Sequence, residues 1–123
     1  MSDWRFMGPA LVLASALAVF GGCGFGGSAA RRDGWPEPRV RSLPAELETG
    51  YRVFAIRCSR CHTLSRPLGA GITDPEHWRR YVRRMRKMPG AAISAEEARY
   101  VLAFLTHHAR ELRRRREAEG DLE

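Results

Sequence analysis

Lysine is nearly absent from this chain: Lys87 is the sole lysine among 21 basic residues. Arginine therefore carries almost all of a formal net charge of +7. Such a balance suits nucleic acid, anionic lipid or an acidic protein, and by itself does not choose among them. No nucleic-acid motif accompanies it, so nucleic acid is not an expected partner. Strand patterning is missing too, and with it the βαβ frame that a thioredoxin-type thiol pair would need. There is no nucleophile–base pair, no phosphate loop and no pair of catalytic carboxylates, so the chain is not expected to be an enzyme. Cysteines are few, with Cys23 alone and Cys58 and Cys61 in one short cluster. That distribution is not the disulfide framework of a small secreted domain.

What is present falls into unequal parts. Of 123 residues, the first 42 hold an apolar leader followed by a Gly, Pro and Arg-rich stretch. Roughly 80 residues remain, enough for one domain. A core that small needs a staple, whether disulfide, metal or cofactor.

Met7 to Gly22 reads MGPALVLASALAVFGG, uncharged and following a short segment with Arg5. It is short for a membrane-spanning helix and has the length of a signal-peptide core. Its end, Val19-Phe20-Gly21-Gly22-Cys23, resembles a bacterial lipoprotein signal, with Cys23 as the lipidated residue. Two other routes remain open: retention as an uncleaved anchor, or cleavage after Ala30 within Ser28-Ala29-Ala30. Export is expected by any of the three, and a periplasmic, membrane-tethered location by the first two. The expected divisions are a leader over 1–22, a flexible tether over 23–42, a folded domain over 43–109 and a charged, fraying tail over 110–123.

The chemistry is concentrated in Cys58-Ser59-Arg60-Cys61-His62. Two thiols on one helical turn can form thioethers with the two vinyl groups of a haem, and the next histidine then lies under the iron as an axial ligand. A C-x-x-C without that histidine would read as a redox dithiol or half of a zinc site. His77, His107 and His108 complete no standard zinc pattern. Upstream, Leu47, Tyr51, Phe54 and Cys58 fall on one helical stripe.

Gly50-x-x-x-Phe54-x-x-x-Cys58-x-x-Cys61-His62-Thr63 resembles a class I cytochrome c over roughly residues 43–109. The resemblance implies an all-α fold, three main helices around one covalently bound haem c. It implies that Gly50 lets the last helix cross closely with an aromatic against it, and that Pro67 offers its carbonyl to the second nitrogen of His62. It also implies a methionine as sixth iron ligand. Met88-Pro89 matches one subgroup, and Trp78-x-x-x-Val82-x-x-Met85 another. Met85, which shares a helical face with Trp78, Tyr81 and Val82, is the expected ligand, with Met88 as the alternative.

The remaining signals are local. Thr73-Asp74-Pro75-Glu76 starts a helix expected over His77–Met88, whose other face carries Arg79, Arg80, Arg83 and Arg84. Solvation explains that basic face, and docking of a redox partner is the sharper reading. Ser94 and Glu97 form a capping box ahead of an apolar stripe of Ala98, Val101, Leu102 and Leu105, with Phe104 beside it. His107 and His108 come late in this helix, where a cation suits the dipole. The expected function is one-electron transfer in a membrane-associated respiratory or photosynthetic chain. A haem-based ligand sensor with a labile sixth ligand is the alternative, and a zinc-holding module a third reading.

Overall fold

The computed structural model describes residues 33–120. These form five helices: α1 (Glu37–Arg41), α2 (Ala45–Cys58), α3 (Ser65–Leu68), α4 (Pro75–Arg86) and α5 (Ala95–Gly120). Among the described residues there is no strand, so the domain is all-α as the sequence implies. No described helix is long and apolar enough to cross a membrane.

Each long helix begins at a signal in its sequence. Pro44 precedes α2, and Glu46 and Glu48 lie in its first turn, where acids suit the positive end of the helix dipole. Asp74 caps α4, its carboxylate accepting from the Glu76 and His77 backbone N–H groups at 2.9 and 3.1 Å. That cap draws the helix start back to Pro75, and α4 ends at Arg86, two residues ahead of the expected Met88. The residue before a proline avoids helical backbone, which keeps Met88 outside. Ser94 Oγ accepts from the Glu97 N–H at 3.1 Å while Glu97 Oε2 accepts from the Ser94 N–H at 2.9 Å, completing the capping box of α5.

The main packing is α2 against α5, with α4 laid on α5 as the second pair. At the crossing stands Gly50, where a β-carbon would lie against the Tyr100 carbonyl oxygen and 2.9 Å from Phe104 Cβ. Phe104 fills the space that opens beside it. Its ring meets Trp35 and Tyr51 edge-on at 5.1 and 5.2 Å and Phe54 at 5.4 Å. Trp78, Phe54, Phe104, Leu64, Leu105, Val40 and Val101 are the large side chains wholly withdrawn from water.

Two of the expected domain divisions also differ. The tether expected to extend to residue 42 is, from Asp33 onward, part of the fold. Val40 of α1 is 0% exposed and belongs to the core. The Trp35 N–H donates to Tyr51 Oη at 2.7 Å, and the Tyr51 hydroxyl donates back to the Trp35 carbonyl at 3.3 Å. Arg39 lies 3.4 Å over the Trp35 ring. The physical reason is that an aromatic and a valine can bury without any helical period to announce them.

The second difference concerns the tail, which continues α5 to Gly120 instead of fraying at residue 110. Arg113 and Arg116 donate to the Thr73 and Gly71 carbonyls, each at 2.8 Å, and so tie the polar extension to the loop before α4.

His108 also departs from the expectation of a cation near the helix end. It is buried, donates through Nε2 to the Leu68 carbonyl at 3.0 Å, and has no partner for Nδ1. Burial holds its pKa below the ordinary 6.5, helped by Arg39 and Arg115 and opposed by the Leu68 carbonyl and Glu111. A histidine depressed in the folded state supports stability fully above its unfolded pKa, and that support is lost as pH falls below it. Stability is thus expected to decline as pH falls below 6.5, and His108→Leu to flatten that segment of a denaturation-versus-pH series. Gly50→Ala gains helix propensity but must push backbone from backbone, so a net loss of about 1–3 kcal/mol is expected. Thermal melts followed by circular dichroism would register it as a drop of several degrees.

Candidate functional site

α2 delivers Cys58 at its last residue, and the turn that follows carries Cys61 and His62. Both cysteines are free thiols; Cys58 is 8% exposed and Cys61 faces solvent. Burial pushes the Cys58 thiol up to about 12. Met85 is half-buried near the end of α4, and Met88 is 51% exposed in the turn beyond it.

These residues come together. Cys58, Cys61, His62, Met85 and Met88 line one cleft of about 310 Å³, with Ala91 and Ile93 adding apolar wall. Arg57 and Arg66 also line it. The turn from Met88 to Ile93 reverses through Gly90 at φ 77 and Ala92 at φ 46. Alanine in left-handed backbone costs about 1–2 kcal/mol. Arg57 donates from Nε and Nη2 to Glu97 Oε1 at 2.9 and 2.6 Å, joining the last turn of α2 to the first turn of α5. The Ser94 N–H and Arg57 together hold the Glu97 carboxyl below its ordinary range.

His62 is held from two sides. Its Nδ1 lies 2.9 Å from the Thr63 carbonyl, and Nε2 lies 3.3 Å from the Tyr81 hydroxyl. A carbonyl only accepts, so Nδ1 carries a proton, and in the neutral ring Nε2 then presents its lone pair. Burial raises the Tyr81 pKa, and its hydroxyl is the group that faces this nitrogen. The carbonyl on the imidazole is therefore that of Thr63. The Pro67 carbonyl, expected there, lies in the four-residue helix α3 and accepts from the Ala70 N–H at 3.4 Å.

The expected basic face divides. Arg80, Arg83, Arg84 and Lys87 line a second groove, which shares Met88 with the cleft. Arg79 instead borders a groove with Leu47, Arg99 and Leu102, and donates to Glu76 at 2.8 Å. Cys23 lies outside the described residues. Sequence reasoning missed Asp33, whose carboxylate accepts from the Leu64 and Ser65 N–H groups at 3.1 and 2.9 Å. No sequence signal marks it, because its partners are 31 and 32 residues away. It placed Tyr81 on an apolar face without its contact to His62.

The donor set fits a covalently attached haem. Two thiols three residues apart, an imidazole bonded through Nδ1 and a thioether all line one largely apolar opening. The Trp78 indole N–H, edge-on to Tyr81 at 5.5 Å between rings, is buried without a partner. It is a donor for which the described chain supplies no acceptor. Among the described residues no three or more His, Cys, Asp or Glu side chains converge as a metal site, which leaves structural zinc without a ligand set there. No protein-family model, curated protein or solved structure matches this chain.

The thiols should differ in reactivity before any attachment. Iodoacetamide at mildly alkaline pH is expected to label Cys61 at least tenfold faster than Cys58, read by peptide mapping of the unloaded chain. Denaturant should bring the two rates together.

Proposed function

We propose that this chain is a monohaem c-type cytochrome resembling class I, carrying one electron at a time outside the cytoplasm. One observation carries the reading: Cys58, Cys61, His62 and both candidate methionines line a single, largely apolar cleft. Haem c, when bound there, supplies a one-electron iron couple. Cys58 and Cys61 would hold it through thioethers, and His62 would ligate iron through Nε2. Met85 would be the sixth ligand, with Met88 as the alternative. A thioether ligand raises the potential relative to a second imidazole, as suits a carrier.

The chain's own residues account for the rest of the role. The Thr63 carbonyl fixes the imidazole's orientation, because a ligand histidine whose other nitrogen is bonded cannot rotate. Ala91, Ile93 and the methionines present hydrocarbon to the cleft. The close helix crossing at Gly50 supports the family reading, since Phe104 of the last helix packs there. Arg80, Arg83, Arg84 and Lys87, continuous with the cleft through Met88, would meet an acidic redox partner. The leader, through Cys23 or as an uncleaved anchor, would tether the domain to the membrane on the periplasmic side.

An absorption spectrum of the full chain, exported from a host that matures c-type haem, tests this. A c-type reduced spectrum that survives denaturation is expected, with a methionine-to-iron charge-transfer band when oxidised. Met85→Ala should abolish that band and Met88→Ala should leave it. Carbon monoxide binding by the unaltered reduced protein would shift the reading to a ligand sensor. A colourless protein beside a coloured control cytochrome would sink the haem reading.

A further inference from the structure

The geometry points to Asp33, ahead of the expected domain, as the positioning residue that sets the proton and orientation of the His62 imidazole. The argument begins with one peptide unit. The Thr63 carbonyl and the Leu64 N–H belong to the same planar amide and point in opposite directions. On one edge of that unit Asp33 Oδ1 accepts from the Leu64 N–H at 3.1 Å. On the other, the Thr63 carbonyl takes the His62 Nδ1 proton at 2.9 Å. Asp33 Oδ2 accepts from the next N–H, that of Ser65, at 2.9 Å, so the carboxylate cannot swing without losing both bonds. The result is a carboxylate–amide–imidazole chain.

Its chemical effect has a definite sign. An anion bonded to an amide N–H polarises the carbonyl at the other end of the unit, and hydrogen bonds in such a chain strengthen one another. A stronger acceptor holds the proton on Nδ1 and makes Nε2 the more basic nitrogen. Carboxylates that touch a ligand histidine directly do this in metal sites; here a peptide unit stands between them. Asp33 itself is fixed by the segment behind it: Trp35 is bonded through both main-chain groups to Tyr51, and Val40 is in the core. The stretch joining the leader to the domain thus also sets the histidine.

The first test uses the unloaded full chain and is independent of any cofactor. Nitrogen-15 shifts of the His62 ring report its tautomer. The Nδ1–H form should dominate in the natural sequence, against the Nε2–H preference of free neutral imidazole side chains. Asp33→Ala should lower the ratio of Nδ1–H to Nε2–H about tenfold. Asp33→Asn, which keeps an acceptor without the charge, should fall between. Val40→Ala loosens the same segment without touching the amide, and should lower the melting temperature while leaving the tautomer alone. An unchanged tautomer in Asp33→Ala, or an equal change in Val40→Ala, would overturn the assignment. Should Asp33→Ala fail to fold, Asp33→Asn decides by the same readout.

The second test rests on the haem reading. A less electron-rich ligand stabilises ferric iron less, so Asp33→Ala should raise the ferrous-to-ferric ratio at fixed potential by about tenfold, ~59 mV for one electron. A coloured protein whose potential ignores Asp33→Ala would overturn the positioning role and leave the cytochrome reading standing. A colourless protein that keeps the tautomer shift would do the reverse.

Discussion

At Gly50 the backbone of α2 rests against the Tyr100 carbonyl and the Phe104 β-carbon of α5, closer than any side chain would permit. The site is built out from that contact. Cys58 lies eight residues further along α2, about 12 Å of helix, so the crossing fixes where the first thiol enters the core. Because α4 also packs on α5, the same contact sets the gap between the end of α2 and the end of α4. That gap is the cleft, with thiols and imidazole on one side and methionines on the other. Phe104, meeting three other aromatic rings at 5.1 to 5.4 Å, keeps the crossing from sliding.

Polar ties then close the ends that apolar packing leaves open. Arg57 and Glu97, each about one-quarter exposed, pair across the rim at 2.6 Å. A pair so placed contributes modestly to stability, since water still screens it. Its importance is geometric: the same carboxylate that caps α5 is joined to the residue before Cys58. Arg113 and Arg116 do the equivalent at the far end, holding the loop that leads into α4.

Local chemistry was legible in the residues and long-range closure was not. The Asp74 cap, the Ser94–Glu97 box, the Cys58 stripe and the Trp78 face are interactions over one to three turns, which spacing alone exposes. Three features depend on partners far away in the chain. Trp35 meets Phe104 only after α5 has crossed α2, the Leu64–Ser65 amides need a carboxylate from position 33, and His108 meets the Leu68 carbonyl 40 residues back. None leaves a period to read. Pro67 shows a different limit, because the short helix around it uses its carbonyl and leaves His62 to Thr63.

The proposed attachment and a redox exchange ask different things of a C-x-x-C. A dithiol that exchanges electrons works through a thiolate, so its site lowers one cysteine's pKa with a helix N-terminus or a nearby cation. Here Cys58 ends a helix, at the negative pole of its dipole, and burial pushes the thiol up to about 12. Arg57, the residue before it, is engaged by Glu97. Such a thiol is a poor nucleophile in exchange and a well-placed anchor once joined to an apolar group in the cleft. Its partner Cys61, open to solvent on the following turn, offers the second point of attachment. With His62 bonded through Nδ1 to the Thr63 carbonyl, its Nε2 is the nitrogen that the proposed iron centre would take.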